Sequence, residues 1–358
     1  AKWSPDGSRI AFVSDRSDYL DLYIRDVITG ATRRVARGQR SGEAVTFHPF
    51  RSRPGWSTKG EYLAYSRASG GRDEIVIRET EDWDIHRVIR PAGVEEISSP
   101  AFMPGDTALA FGALAGDQAD IYLKKIGPKS ARRLTNDRWD DRFPSFSPDG
   151  RYLAFASDRP IAEPERDFDL ENYSGESAQM SAQPGEPEDY PFGNYNIWIL
   201  DLEADTLHPL TTDGLGNDQP SWSPSGKKTA YTSERNGVRN IWIADLDSDT
   251  HLPYTDLLSG AFSPTWDSDS KKLIFSAFYD GGFDLYYYKE LAHLDSLEPT
   301  PFFLSRDTLC DYAEYEGSAS DFSDISGDMK KYNFRASGSE SEELPPPEQE
   351  DEEYTPEF

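Results

Sequence analysis

Short apolar runs alternate with polar turns along this chain, and they recur in a fixed order. One copy reads Phe146, then Ser147-Pro148-Asp149-Gly150, then an apolar run over residues 152–156. Proline sets φ for a turn, aspartate bonds nearby backbone and glycine accepts positive φ. The run after the turn is rich in strand formers, so the stretch predicts a hairpin. Residues 197–202 predict a third strand, and a turn over 203–206 leads into a fourth around 207–210. Four short antiparallel strands per repeat predict one blade of a propeller.

Five further copies follow the same order. Their turns are Ser4-Pro5-Asp6-Gly7, Ser57-Thr58-Lys59-Gly60, Met103-Pro104-Gly105-Asp106, Ser223-Pro224-Ser225-Gly226 and Asp267-Ser268-Asp269-Ser270. Trp3, Trp56, Phe102, Trp222 and Trp266 precede them. The register is strict. Phe12 to Tyr23, Tyr65 to Val76, Phe111 to Tyr122, Tyr231 to Trp242 and Phe275 to Tyr286 are each 11 residues apart. Phe155 to Trp198 spans 43, so 32 residues are inserted in the fourth copy. The expected fold is all-β: a six-bladed propeller of four-stranded antiparallel blades over residues 1–304. Blade 4 carries an acidic insertion at about 160–195, and 305–358 form a mostly irregular, proline-containing acidic tail. That tail contains Phe322, Ile325, Tyr332 and Phe334, able to add a strand. Because the first blade begins short, such a strand is expected to repair it.

Charge refines the picture. The net charge is −28, but residues 161–192 contribute −8 and residues 305–358 contribute −12. Acidity is therefore concentrated on one loop and one tail, which lack the apolar content to fold alone. No basic stripe is present to release phosphate counterions, which argues against nucleic-acid binding. Cys310 is the only cysteine, so no disulfide forms within the chain and no cysteine-based metal or redox motif exists. No apolar stretch has the length of a membrane helix. Ala1 lies inside a repeat, so the expectation is a piece of a longer protein whose N-terminal address lies upstream.

The Ser-Pro-Asp-Gly, Ala-Phe, Ser-Asp-Arg and Asn-Ile-Trp pattern resembles the repeat of the TolB-like propeller family. Related repeats occur in the propellers of tricorn protease and of prolyl-oligopeptidase-type peptidases. The resemblance covers about residues 3–304. The last copy, from Ser263-Pro264-Thr265-Trp266 to Phe283-Asp284-Leu285-Tyr286, is similar to segments that precede outer-membrane barrels in bacterial envelope proteins. The resemblance implies a periplasmic or cell-envelope location, a protein partner, no cofactor and no catalysis of its own. Copies two, three and six lack the full turn motif, and no TolB-type N-terminal domain is present here.

Several residues are candidates for chemistry. Arg16, Arg159 and Arg235 end three Ser-Asp-Arg or Ser-Glu-Arg runs on equivalent loops. They are read either as a ring that grips a partner's carboxylate or as ion pairs internal to each blade. Asp21, Glu74, Asp120, Asn196, Asn240 and Asp284 precede the third strands. They are read either as calcium ligands or as acceptors for loop amides. His48, His86, His208, His251 and His293 show no zinc spacing. His208 and His251 occupy matching places near the outer strands of blades 4 and 5, which argues for solvent exposure. Phe168, Tyr173, Tyr190 and Phe192 alternate with acids in the insertion and are candidate partner contacts. No Gly-x-Ser-x-Gly elbow occurs. The expected function is that of a monomeric, non-catalytic protein-interaction or scaffold module of a larger cell-envelope protein, with no metal or cofactor and no membrane insertion of its own. The alternative is the substrate-gating propeller of a peptidase whose catalytic domain lies elsewhere.

Overall fold

The computed structural model describes residues 1–38, 47, 53–127, 130–161, 194–279, 282–288 and 329–332. Among these residues every helix-or-strand element is a strand, and the strands form six four-stranded antiparallel sheets. Five sheets are continuous in sequence: residues 2–36, 55–89, 96–133, 141–209 and 218–253. The sixth takes three strands from residues 261–288 and its outermost strand from Met329–Tyr332. The tail strand thus completes the last blade. It does not repair the first, whose own inner strand Lys2–Trp3 is already paired. Inner strands of successive blades touch all the way round, including Lys2–Trp3 against Ala261–Trp266, so the ring closes.

The turn motif works through its first and last residues. The hydroxyls of Ser4, Ser57, Ser147 and Ser223 accept the amides of Arg9, Tyr62, Tyr152 and Lys228 at 2.9–3.1 Å, tying the second strand to the first. In the sixth blade the Asp267 carboxylate does the same for Lys272. Gly7, Gly60, Gly150 and Gly226 close these turns at φ of 70 to 75°, where a Cβ is costly. The expected register is the observed one. Phe12 faces Tyr23, Phe111 faces Tyr122, Phe155 faces Trp198 and Phe275 faces Tyr286.

Side chains alternate faces along a strand, so each Ala-aromatic pair in a second strand serves two interfaces. Ala11, Ala64, Ala110, Ala154 and Ala230 face the following blade. There they meet Tyr65, Phe111, Phe155, Tyr231 and Phe275 respectively. Small against large fills the space between sheets without voids. Six buried clusters result, one per interface. At the blade 6–blade 1 seam the alanine is replaced by Ile274, packed with Leu285 against Trp3, Phe12 and Tyr23.

Candidate functional site

The three repeat arginines adopt one arrangement. Each backbone amide donates to the serine two residues earlier, Ser14, Ser157 or Ser233, at 3.3 Å. Each guanidinium lies over the rings of its blade's second and third strands. Arg16 sits 5.2 and 4.9 Å from Phe12 and Tyr23, and Arg159 sits 5.4 Å from both Phe155 and Trp198. Arg235 sits 6.0 and 4.7 Å from Tyr231 and Trp242. Arg159 is 4% exposed, donates to both oxygens of Asp141 at 2.9 and 2.8 Å, and lies 3.1 Å from Asp137. Its charge is engaged inside blade 4. Burial and the neighbouring Asp137 push the Asp141 carboxyl up, against the pull of Arg159. Arg235 is half-buried and pairs with Asp213 at 2.5 Å. Arg16 has no carboxylate partner among the described residues and remains partly exposed. The insertion candidates Phe168, Tyr173, Tyr190 and Phe192 lie outside the described residues.

The polar residues before the third strands serve loop backbones and hydroxyls. Asp21 accepts the Gly38 amide and pairs with Arg34, and Glu74 pairs with Arg67 and Arg90. Asp120, Asn196 and Asn240 accept hydrogen bonds from Thr135, Thr211 and Thr255, whose hydroxyls accept the amides of Ile121, Ile197 and Ile241. Their oxygens are occupied by this network. Burial pushes Asp120 up to about 6 despite Arg133. His208 and His251 do not match as expected. His208 pairs with Ile199 and is exposed, whereas His251 pairs with Ala244 and is half-buried. Their registers differ by one residue, which turns them to opposite faces. His251 shares a 2.7 Å hydrogen bond with the Tyr231 hydroxyl, and burial lowers its pKa.

Two features were not singled out from sequence. At the end of the disc that carries the second-to-third strand hairpins, blade 6 presents Phe278 and Phe283, 42% and 51% exposed. Their ring centroids are 5.2 Å apart, and Phe262 lies 5.9 Å from Phe283. Leu258 is exposed on the connection entering the same blade.

The second feature is the central channel. Inner strands bulge at Ser99-Pro100, Phe143-Pro144, Gln219-Pro220 and Ser263-Pro264, where the residue before proline has φ of 45 to 58°. Arg53-Pro54 holds the matching place in blade 2. The recurrent signal was proline two residues before the inner aromatic. Below these bulges lies a cavity of about 300 Å³ that runs to the Ser-Pro-Asp-Gly turns. The residue before each inner aromatic lines it: Lys2, Gly55, Ala101, Ser145, Ser221 and Thr265. Five of these are small, and only Lys2 is charged. Gly55 is required, because a Cβ there would come within 2.2 Å of the Pro100 carbonyl in the next blade. Arg53 joins Lys2 in the cavity wall. Burial and mutual repulsion lower Lys2 to about 8, and burial lowers Arg53 to about 10. The carboxylate acting on Arg53, Asp218, is itself held by Arg142 at 2.8 Å and Arg239 at 3.9 Å.

Known proteins place this architecture. A TolB beta propeller domain matches residues 48–164. The chain is 29% identical over 158 residues to the uncharacterized peptidase YuxL of Bacillus subtilis, across 44% of this chain and 21% of that protein. It is 26% identical over 235 residues to the Tol-Pal system protein TolB of Francisella tularensis, across 48% of this chain and 54% of that protein. A solved TolB structure from Acinetobacter baumannii shares the fold, with a TM-score of 0.57 at 19% identity, over 79% of this chain and 61% of that one. The chain spans only about a fifth to a half of the length of these two curated relatives.

Proposed function

Because this chain belongs to the TolB-like β-propellers, we propose that it is a non-catalytic protein-interaction module of a larger bacterial cell-envelope protein, working in the periplasm. The observation that carries this reading is the phenylalanine cluster at the hairpin end of blade 6. Contiguous exposed aromatics on a rigid scaffold mark protein contacts. Phe278 and Phe283 stand at the rim, with Leu258 beside them and Arg16 at the same end of blade 1. Aromatic and arginine side chains are the types that dominate interface energetics. The relative from Francisella is by name a part of the Tol-Pal system, which supports an envelope protein as partner. Division into a propeller over 1–304 and a tail over 305–358 belongs to the same proposal, with Met329–Tyr332 lent to blade 6.

The test is a pair of variants, Phe278→Ser and Phe283→Ser, combined in one chain. The wild-type protein should cross-link to a defined envelope protein in periplasmic extract, and the double variant should lose that product while keeping its thermal midpoint. Retention of the product by the folded double variant sinks the reading. The YuxL similarity favours one rival, a propeller that gates a peptidase. The gene downstream of residue 358 separates the two. Alternating strands of about ten residues with aromatic girdles favour an envelope barrel, and a Gly-x-Ser-x-Gly elbow favours the peptidase.

A further inference from the structure

We propose that the central channel is a binding site for an organic carboxylate, held between Lys2 and Arg53 below the bulges of the inner strands. The site is separate from the hairpin-end cluster, because inner-strand residues around the axis line it, whereas Phe278 and Phe283 flank the second-to-third strand hairpin of blade 6.

The argument starts from unbalanced charge. Lys2 and Arg53 both line the 300 Å³ cavity, and neither side chain makes an ion pair or hydrogen bond to another group among the described residues. The Arg53 guanidinium instead lies 5.4 Å from the Phe143 ring. Asp218, the nearby carboxylate, is shared by Arg142 and Arg239. Two cations in a partly desolvated wall repel each other, and both are pushed toward their neutral forms. An anion between them would relieve both costs. Hydroxyls of Ser145, Ser221 and Thr265 share the wall and supply donors for its oxygens.

The rest of the wall selects the kind of anion. Pro54, Pro100, Pro144 and Pro220 form an apolar belt, and Trp3, Trp56, Trp222 and Trp266 border the cavity. Such a surface suits a ligand with an apolar body and one charged end, in preference to a fully hydrated inorganic ion. The volume is that of about ten waters, room for a small aromatic or aliphatic acid or for the end of a peptide. The small residues in front of the inner aromatics keep this space open.

The bordering indoles make binding visible as a change in tryptophan fluorescence. Benzoate and N-acetyl-Gly-Phe with a free C-terminal carboxylate are titrated at low salt, against inorganic phosphate and the C-terminally amidated peptide. Saturable binding by benzoate, by the free-acid peptide or by both supports the site, and the pair tells a free acid from a chain terminus. Arg53→Gln and Lys2→Gln should each weaken binding by about tenfold or more, while Arg53→Lys should retain most of it. Lys227→Gln, at an exposed ion pair with Asp247, should leave it unchanged. Circular dichroism melts confirm that each variant is folded. Any of four results overturns the proposal: no saturable change up to ~10 mM, binding of phosphate alone, equal binding of the amidated peptide, or undiminished binding by folded Arg53→Gln and Lys2→Gln.

Discussion

Replacing Arg159 with methionine keeps an apolar chain over Phe155 and Trp198 and removes the guanidinium that pairs with Asp141 and Asp137. Asp141 is 1% exposed, so water cannot take over the role of the guanidinium. Two hydrogen bonds at 2.8–2.9 Å and one contact at 3.1 Å are lost together. Taking one partner from a buried pair costs about 3–5 kcal/mol, because the other is left uncompensated. The loss of the contact over the two rings adds about 0.5–2 kcal/mol, part of which the methionine returns. We therefore expect Arg159→Met to lose about 3–5 kcal/mol at pH 8. The loss should shrink as pH falls through 7, because without Arg159 the buried Asp141 carboxyl is pushed up further and takes up a proton there. The double variant Arg159→Met, Asp141→Leu removes both charges and should return to within about 1–2 kcal/mol of the parent. Urea unfolding followed by tryptophan fluorescence and circular dichroism measures all three. The reasoning fails if the single variant costs under about 1 kcal/mol, or if the double variant is as unstable as the single one.

Three further outcomes follow from the same structure. Trp198→Ala should cost about 3–5 kcal/mol in urea unfolding, since Trp198 is 3% exposed between blades 3 and 4; a near-neutral result would put that face in solvent. Asp120 has a folded pKa raised to about 6, so its contribution to stability is full below pH 4 and is lost as pH rises through 6. Asp120→Asn should flatten the thermal midpoint across that window, and an unchanged slope contradicts the assignment. Removing residues 161–192 leaves six residues between the paired Ser157 and Asn196, as between Ser14 and Asp21 or Ser233 and Asn240. The shortened protein should melt within a few degrees of the parent, roughly the effect of ~1 kcal/mol or less; a much larger drop would mean that the insertion supports the disc.

The second and third strands were legible because their aromatic partners recur at constant spacing, and cross-strand pairing preserves that spacing. Edges were harder. The outer strand of blade 3 is only Arg132–Arg133, too short to leave a period. The last outer strand arrives from Met329–Tyr332, beyond an intervening stretch with no repeat signal. His251 was misplaced because one residue of register decides its face, and turn composition alone does not set that register. The Ser-Asp-Arg runs were visible, but their role depended on Asp137 and Asp213 in the loops entering blades 4 and 5 and on Asp141 at the start of the inner strand of blade 4. The channel was invisible for a different reason. Lys2 and Arg53 are far apart in sequence and meet only when the inner strands converge on one axis. A proline stands two residues ahead of five of the six inner aromatics, yet a residue before proline ordinarily prefers extended backbone.

Among the described residues the first blade takes its four strands from 2–36 and the last from 261–332, so no sheet joins the two chain ends. Trp56 and Trp266 bond their indole nitrogens to the preceding blades' Lys2 and Ser221 carbonyls, at 3.1 and 2.9 Å. The indole of Trp3, at the join of the last blade to the first, has no acceptor among the described residues, as is also true of Trp222 between blades 4 and 5. Among the described residues that join is filled by the apolar contacts of Trp3, Phe12, Tyr23, Ile274 and Leu285, so heat or mechanical pull should part the circle there first. Deuterium uptake along Lys2–Trp3 and Ala261–Trp266 should then outpace uptake at the other five radial boundaries.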